Sequence, residues 1–161
     1  MTTDRIDKSV LLRAPLDRVW SAISDSAQFG RWFGIRFDGP FVAGSTVRGV
    51  IAPTTVDDEV ARLQAPYAGT ADTREIVAVE PRRRFAYRWH PFGGDDHADE
   101  PTTLVEFTLE ETPDGVMLRI TESGFAAIPA HRRGAAFEAN DEGWSKQVEL
   151  VRKYLALGTR V

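Results

Sequence analysis

The chain of 161 residues contains no cysteine. That absence excludes disulfides, thiolate zinc sites and a cysteine nucleophile, and it fits a reducing compartment. Basic charge is also in short supply: 20 Lys and Arg stand against 24 Asp and Glu, a formal net charge of −4. A nucleic-acid binder needs a concentrated basic face, so nucleic acid is not an expected partner. The densest basic runs, Arg82-Arg83-Arg84 and Arg132-Arg133, each lie near a proline-containing turn and read as solvated loops. No window comes near the ~18 apolar residues of a membrane span. Met1-Thr2-Thr3-Asp4-Arg5 lacks the apolar stretch of a signal peptide, and a cytoplasmic protein is expected.

Catalytic signatures are missing too. There is no Ser-His-Asp ordering, no glycine-rich phosphate loop and no HExxH pair, and no cofactor is implied. His90, His97 and His131 are the only histidines. His97 stands among Asp95, Asp96 and Asp99, but a metal needs ordered ligands converging at fixed geometry. This run is a flexible loop, and no metal site is read there.

What is present is the material of a single domain over residues 1–161. A chain this long buries roughly 70% of its unfolded surface, enough for one real core. Ile6, Val10 and Leu12 keep one parity through a short strand, with Lys8 the polar exception. Pro15 suits a first helical turn. Val19, Trp20 and Ile23, then Phe29, Trp32 and Phe33, predict two short helices closing one end of the core. Residues Phe37 to Phe41 and Thr46 to Ala52 read as a hairpin, and Pro53 to Gln64 as a long polar loop. Strands are predicted over Ala71 to Val79, Arg84 to Trp89, Thr102 to Glu110 and around Val116 to Ile120. Residues 91–101, with Gly93-Gly94 as a turn, form a loop. From about Arg132 to Leu157, Phe137, Trp144, Val148, Val151 and Leu155 make one helical stripe. Gly143 inside it costs about 1 kcal/mol relative to alanine, which suggests close packing or a bend. Strand, two short helices, about six strands and one long helix describe an antiparallel α+β layer fold.

The segment Ala14-Pro15-Leu16-Asp17-Arg18-Val19-Trp20 after an amphipathic strand resembles the opening of the START-like, or SRPBCC, superfamily. Trp32-Phe33, the Glu80-Pro81 turn into an aromatic strand, Thr121-Glu122-Ser123-Gly124-Phe125 and the long helix carrying Gly143-Trp144 complete the likeness. The last two features are similar to the family named for the activator of the heat shock protein 90 ATPase, whose bacterial members resemble the C-terminal domain of that co-chaperone. The resemblance covers about residues 6–157. It implies a helix-grip fold, a curved antiparallel sheet wrapped around the C-terminal helix with a cavity between them. It also implies kinship with hydrophobic-ligand carriers, polyketide cyclases and antibiotic-sequestering proteins.

In such a fold the cavity is lined by Phe85, Tyr87, Trp89, Val105, Phe107, Leu118, Ile120, Trp144 and Val148. The competing reading is that these side chains only fill the core. Glu122 is the next inward position after Val116, Leu118 and Ile120, and is the one candidate acid/base or ligand anchor. Tyr87 and Trp89 are candidate donors to a ligand, unless neighbouring backbone satisfies them. Arg31 and Arg36 flank Trp32-Phe33-Gly34 near the cavity entrance and suit an anionic group. The expected function is binding of a hydrophobic or aromatic small molecule; an interior with no cavity above a few water volumes would count against it. The alternatives are a cyclase or dehydratase using Glu122, and a co-chaperone-like module that binds a protein partner or a second copy.

Overall fold

A computed structural model describes residues 4–91 and 94–158 of the chain. Strand β1 (Arg5–Leu12) leads into helices α1 (Leu16–Ser24) and α2 (Ser26–Phe33). Strands β2 (Ile35–Phe37) and β3 (Thr46–Ile51) follow, then helix α3 (Asp58–Gln64). Strands β4 (Ala71–Glu80), β5 (Arg84–Trp89), β6 (Thr103–Thr112) and β7 (Gly115–Ser123) precede the long helix α4 (Ala130–Gly158). All seven strands form one antiparallel sheet in the order β1-β7-β6-β5-β4-β3-β2. This is the helix-grip arrangement, with the curved sheet packed on α4 and with α1 and α2 closing one end.

Period-two burial generates the concave face. Phe85 pairs with Phe107 and Tyr87 with Val105 across β5 and β6, while Phe107 and Val105 face Ile120 and Glu122 across β6 and β7. Lys8 has the inward parity of its strand, and its ammonium meets Asp141 of α4 at 3.0 Å. The short helices are set by local chemistry. Asp25 accepts the Ala27 N–H at 3.0 Å as the N-cap of α2. Gly34, at φ 97°, ends α2 in the left-handed conformation that glycine adopts without strain.

Several local expectations are corrected. The segment 53–64 is not all loop: Asp57 caps α3 by accepting the Val60 N–H at 2.9 Å and pairs with Lys153 of α4. No α3 residue is fully buried, so there was no apolar stripe to read. The first hairpin strand is Ile35–Phe37 rather than residues 37–41, because Pro40 has no N–H to give a ladder. The basic runs are also not simply solvated. Arg84 lies in β5 against Glu80 and Glu106, and Arg132 in α4 binds Glu100 at 2.9 Å, while Arg82 and Arg83 are exposed. Pro15 is the N-cap of α1 rather than a residue of its first turn. Of the loop at 91–101, Gly94–His97 form a 3-10 turn, and Gly93 lies outside the described residues. Asp95 there accepts the backbone and side-chain hydrogens of Thr73 at 2.8 and 2.9 Å.

Candidate functional site

Glu122 sits near the end of β7, between Ile6 on β1 and Val105 on β6, and has no exposed surface. Its carboxyl points inward, as the strand parity requires. Four side chains donate to it. Trp89 Nε1 (2.7 Å) and Thr103 Oγ1 (2.5 Å) reach one oxygen. Trp144 Nε1 (2.8 Å) reaches the other, and Asn140 Nδ2 lies within 2.9 and 3.1 Å of both. A buried carboxyl survives only where donors replace its lost water. Here the donors come from β5, β6 and α4, so the carboxyl ties the helix to the sheet.

The space above this knot is a cleft of about 70 Å³ lined by Phe33, Trp89, Asn140, Gly143, Trp144 and Gln147. That holds about two waters at ~30 Å³ each. The large enclosed cavity expected from the fold is absent at this place. Phe85, Val105, Phe107, Leu118 and Ile120 are fully buried and pack together beneath it, and Val148 packs on the same core. Of the side chains read as cavity-lining, Trp89 and Trp144 face the cleft. Of the two readings of Gly143, close packing is corrected. Apart from its chain neighbours and the backbone of its own helix, no atom lies within 4 Å of where its Cβ would stand, so no other element packs against it. It leaves the cleft open.

Behind the cleft lies a feature that sequence reading missed. Arg74 of β4 is completely buried and pairs with Asp72 at 3.0 Å. Its guanidinium carbon stands 4.5 Å from the Trp89 ring centroid, 4.6 Å from Tyr87 and 4.7 Å from Phe33, with Phe37 and Phe29 farther out. Cation–π attraction of this kind reaches about 2 kcal/mol or more per contact when desolvated. Among the described residues, Arg74 Nη1, Asp72 Oδ1, Tyr87 Oη and Gln147 Oε1 are buried without a hydrogen-bond partner. Trp89 therefore finds a carboxylate rather than backbone, and among the described residues Tyr87 Oη has no hydrogen-bond partner. Burial pushes the Tyr87 phenol well above its ordinary range, and the nearby Arg74 charge offsets only part of that. The phenol keeps its proton.

Elsewhere, His90 Nε2 lies 3.0 Å from the Glu100 carbonyl, at the rim of β5. Among the described residues no three His, Asp or Glu side chains are grouped to hold a metal ion, and no helix is long and apolar enough to cross a membrane.

The architecture is shared with solved structures. A protein from Mesorhizobium loti superposes with a TM-score of 0.69 at 23% identity, over 94% of this chain and 96% of that one. A protein from Arthrobacter aurescens gives 0.73 at 13% identity, over 96% and 87%. DynU16, encoded in the dynemicin biosynthetic locus, gives 0.69 at 26% identity over 96% of this chain; this chain spans about half of DynU16, 48% of its length. No curated protein matches the chain in sequence. With residues 13–156 matching the family described as Activator of Hsp90 ATPase homolog 1-like protein, the chain belongs to that family.

Proposed function

We propose that the protein binds a flat, hydrophobic or aromatic small molecule at the cleft between Phe33, Trp89 and Trp144. The observation that carries this reading is Gly143. A glycine in mid-helix costs about 1 kcal/mol relative to alanine, and here no neighbour requires it. What its missing side chain provides is access to two indole rings and a phenyl ring. Pockets for small molecules are mostly apolar with a few placed polar groups, and Gln147 supplies one, a buried carbonyl oxygen that no donor among the described residues reaches. A cleft of 70 Å³ admits the edge of a ring. A whole ligand of ordinary size, in a site of ~300 Å³ or more, requires α4 to lift from the Phe33 end of α2. The Gln147 Nε2 bond to the Phe33 carbonyl, at 3.0 Å, is the contact that would open.

Glu122 holds this site in shape. Both of its oxygens are occupied by protein donors, so the cyclase-type reading, which needs that carboxyl to reach a substrate, has less support than binding. Thermal unfolding in the presence of fatty acids, flavonoids, polyketide-like aromatics and sterols tests the proposal. At about 100 times its Kd a ligand adds ~2.7 kcal/mol, a rise of roughly 5–10 °C for a chain of this size. The rise is expected for one chemical class in the native protein and not in Gly143→Leu, whose side chain fills the cleft. An equal rise in both would overturn the assignment.

A further inference from the structure

A second recess, of about 500 Å³, lies on the other side of α2, between that helix, β2 and the segment after β3. We propose that this groove is a separate binding site for a small organic anion, a carboxylate, sulfonate or phosphate ester on an apolar body. The proposal is independent of the cleft.

Three observations converge. The volume falls within the ~300–1,000 Å³ of small-molecule sites. Arg31 and Arg36 line the groove and are exposed, and among the described residues neither side chain has an ion-pair or hydrogen-bond partner. The one carboxylate of the groove, Asp38, is turned to the sheet, where it accepts the Arg48 N–H at 3.1 Å. Ile35, Phe37, Ala52 and Pro53 are apolar residues that also line the groove.

The third observation is the free edge of the sheet. The bonds from Ala52 N–H to Gly34 C=O (3.1 Å) and from Asp38 N–H to Arg48 C=O (2.9 Å) fix the ladder of β2 on β3. Antiparallel alternation then points the peptide groups of Arg36 at β3 and those of Ile35 and Phe37 outward. A Cβ at Gly30 would lie 2.2 Å from the Ile35 carbonyl oxygen, so α2 seals that position. The outward edge is left to Phe37. An added peptide strand would gain one residue of ladder, too little to hold it. A compact anion gains the Phe37 N–H and both guanidinium groups, and charge-assisted hydrogen bonds are the strong kind.

Anilinonaphthalene sulfonate, an aromatic anion that fluoresces when it leaves water, is the probe. It is titrated into the Gly143→Leu protein, so that the cleft does not compete, and into the native protein. Arg31→Ala/Arg36→Ala in the Gly143→Leu background is expected to weaken binding about tenfold or more. Arg62→Glu changes net charge by the same −2, at an exposed position that does not line the groove, and is expected to bind within about twofold of its parent. Circular dichroism melts check that each variant folds as its parent does. Equal binding by the double variant, an equal loss in Arg62→Glu, or no fluorescence rise in the Gly143→Leu protein would overturn the groove. Dye bound by the native protein and lost in Gly143→Leu would place it in the cleft, which removes this proposal and leaves the cleft reading standing.

Discussion

The concave face of the sheet has two ends built from the same kind of residue to opposite effect. At one end Phe29 sits within 4.7–6.2 Å of six other aromatic rings, and Trp32 Nε1 is satisfied by the Ala22 carbonyl at 2.8 Å. Phe29, Trp32, Phe85 and Phe107 have no exposed surface. At the other end Trp89 and Trp144, with ring centroids 5.9 Å apart, both donate to one carboxylate beside an asparagine and a glycine, and among the described residues four buried polar atoms nearby lack hydrogen-bond partners. Interiors are packed like crystals, and buried polar groups are normally paired. An end that departs from both rules departs for something other than stability. The packed end holds the fold, and the polar end is where a ligand has something to gain.

The comparison can be broken by substitution, beginning where the effect is largest. Phe29→Ala is expected to cost about 3–5 kcal/mol in urea unfolding, the range for removing a fully buried phenyl group. A cost below about 1 kcal/mol would mean that the packed end is not the main support. Glu122→Gln keeps the shape but turns one acceptor into a donor facing donors. It should cost about 1–3 kcal/mol, and a neutral result would show that the knot of donors is dispensable. Gly143→Ala should raise stability by about 0.5–1 kcal/mol, since the added methyl meets open space and the helix gains propensity. A loss would mean that the helix is crowded there.

The smallest expected effect is local and concerns acid. The Lys153 ammonium and the Val60 N–H beside Asp57 hold its carboxyl below the ordinary carboxylate range. A depressed pKa contributes stability above the unfolded value, and that contribution is lost as pH falls through the folded value. The α3 amides should therefore exchange with solvent sooner than the β6 and β7 amides as a sample is acidified, in hydrogen-exchange measurements corrected for intrinsic rate. Simultaneous loss of both sets would remove the special role of Asp57.

How legible this was in the sequence follows from the same contrast. Strand parity placed Val105, Phe107, Leu118, Ile120 and Glu122 inward without any structure, because period two leaves no choice once one face is apolar. Arg74 and Asp72 share that inward parity with Ile76, yet charged residues at alternate positions read as a wet face. Only tertiary context, five rings and an ion pair, made burial of Arg74 tolerable. Asn140 had a usable signal. The stripe on α4 runs Phe137, Trp144, Val148, Val151 and Leu155 and skips the turn between the first two. Asn140 falls in that gap, where it binds Glu122. The cleft itself was not legible: its size depends on how rings from β5, α2 and α4 interlock, and no periodicity encodes that.

The most direct test of the cleft uses the indole N–H signals of Trp20, Trp32, Trp89 and Trp144 in a nitrogen-proton correlation spectrum. The protein is titrated with a ligand of the class that raises its melting temperature. The account predicts that Trp89 and Trp144, which donate to Glu122 and line the cleft, shift together with occupancy, while Trp32 stays still in its bond to Ala22. A titration in which Trp32 moves and the Trp89 and Trp144 signals do not would contradict it.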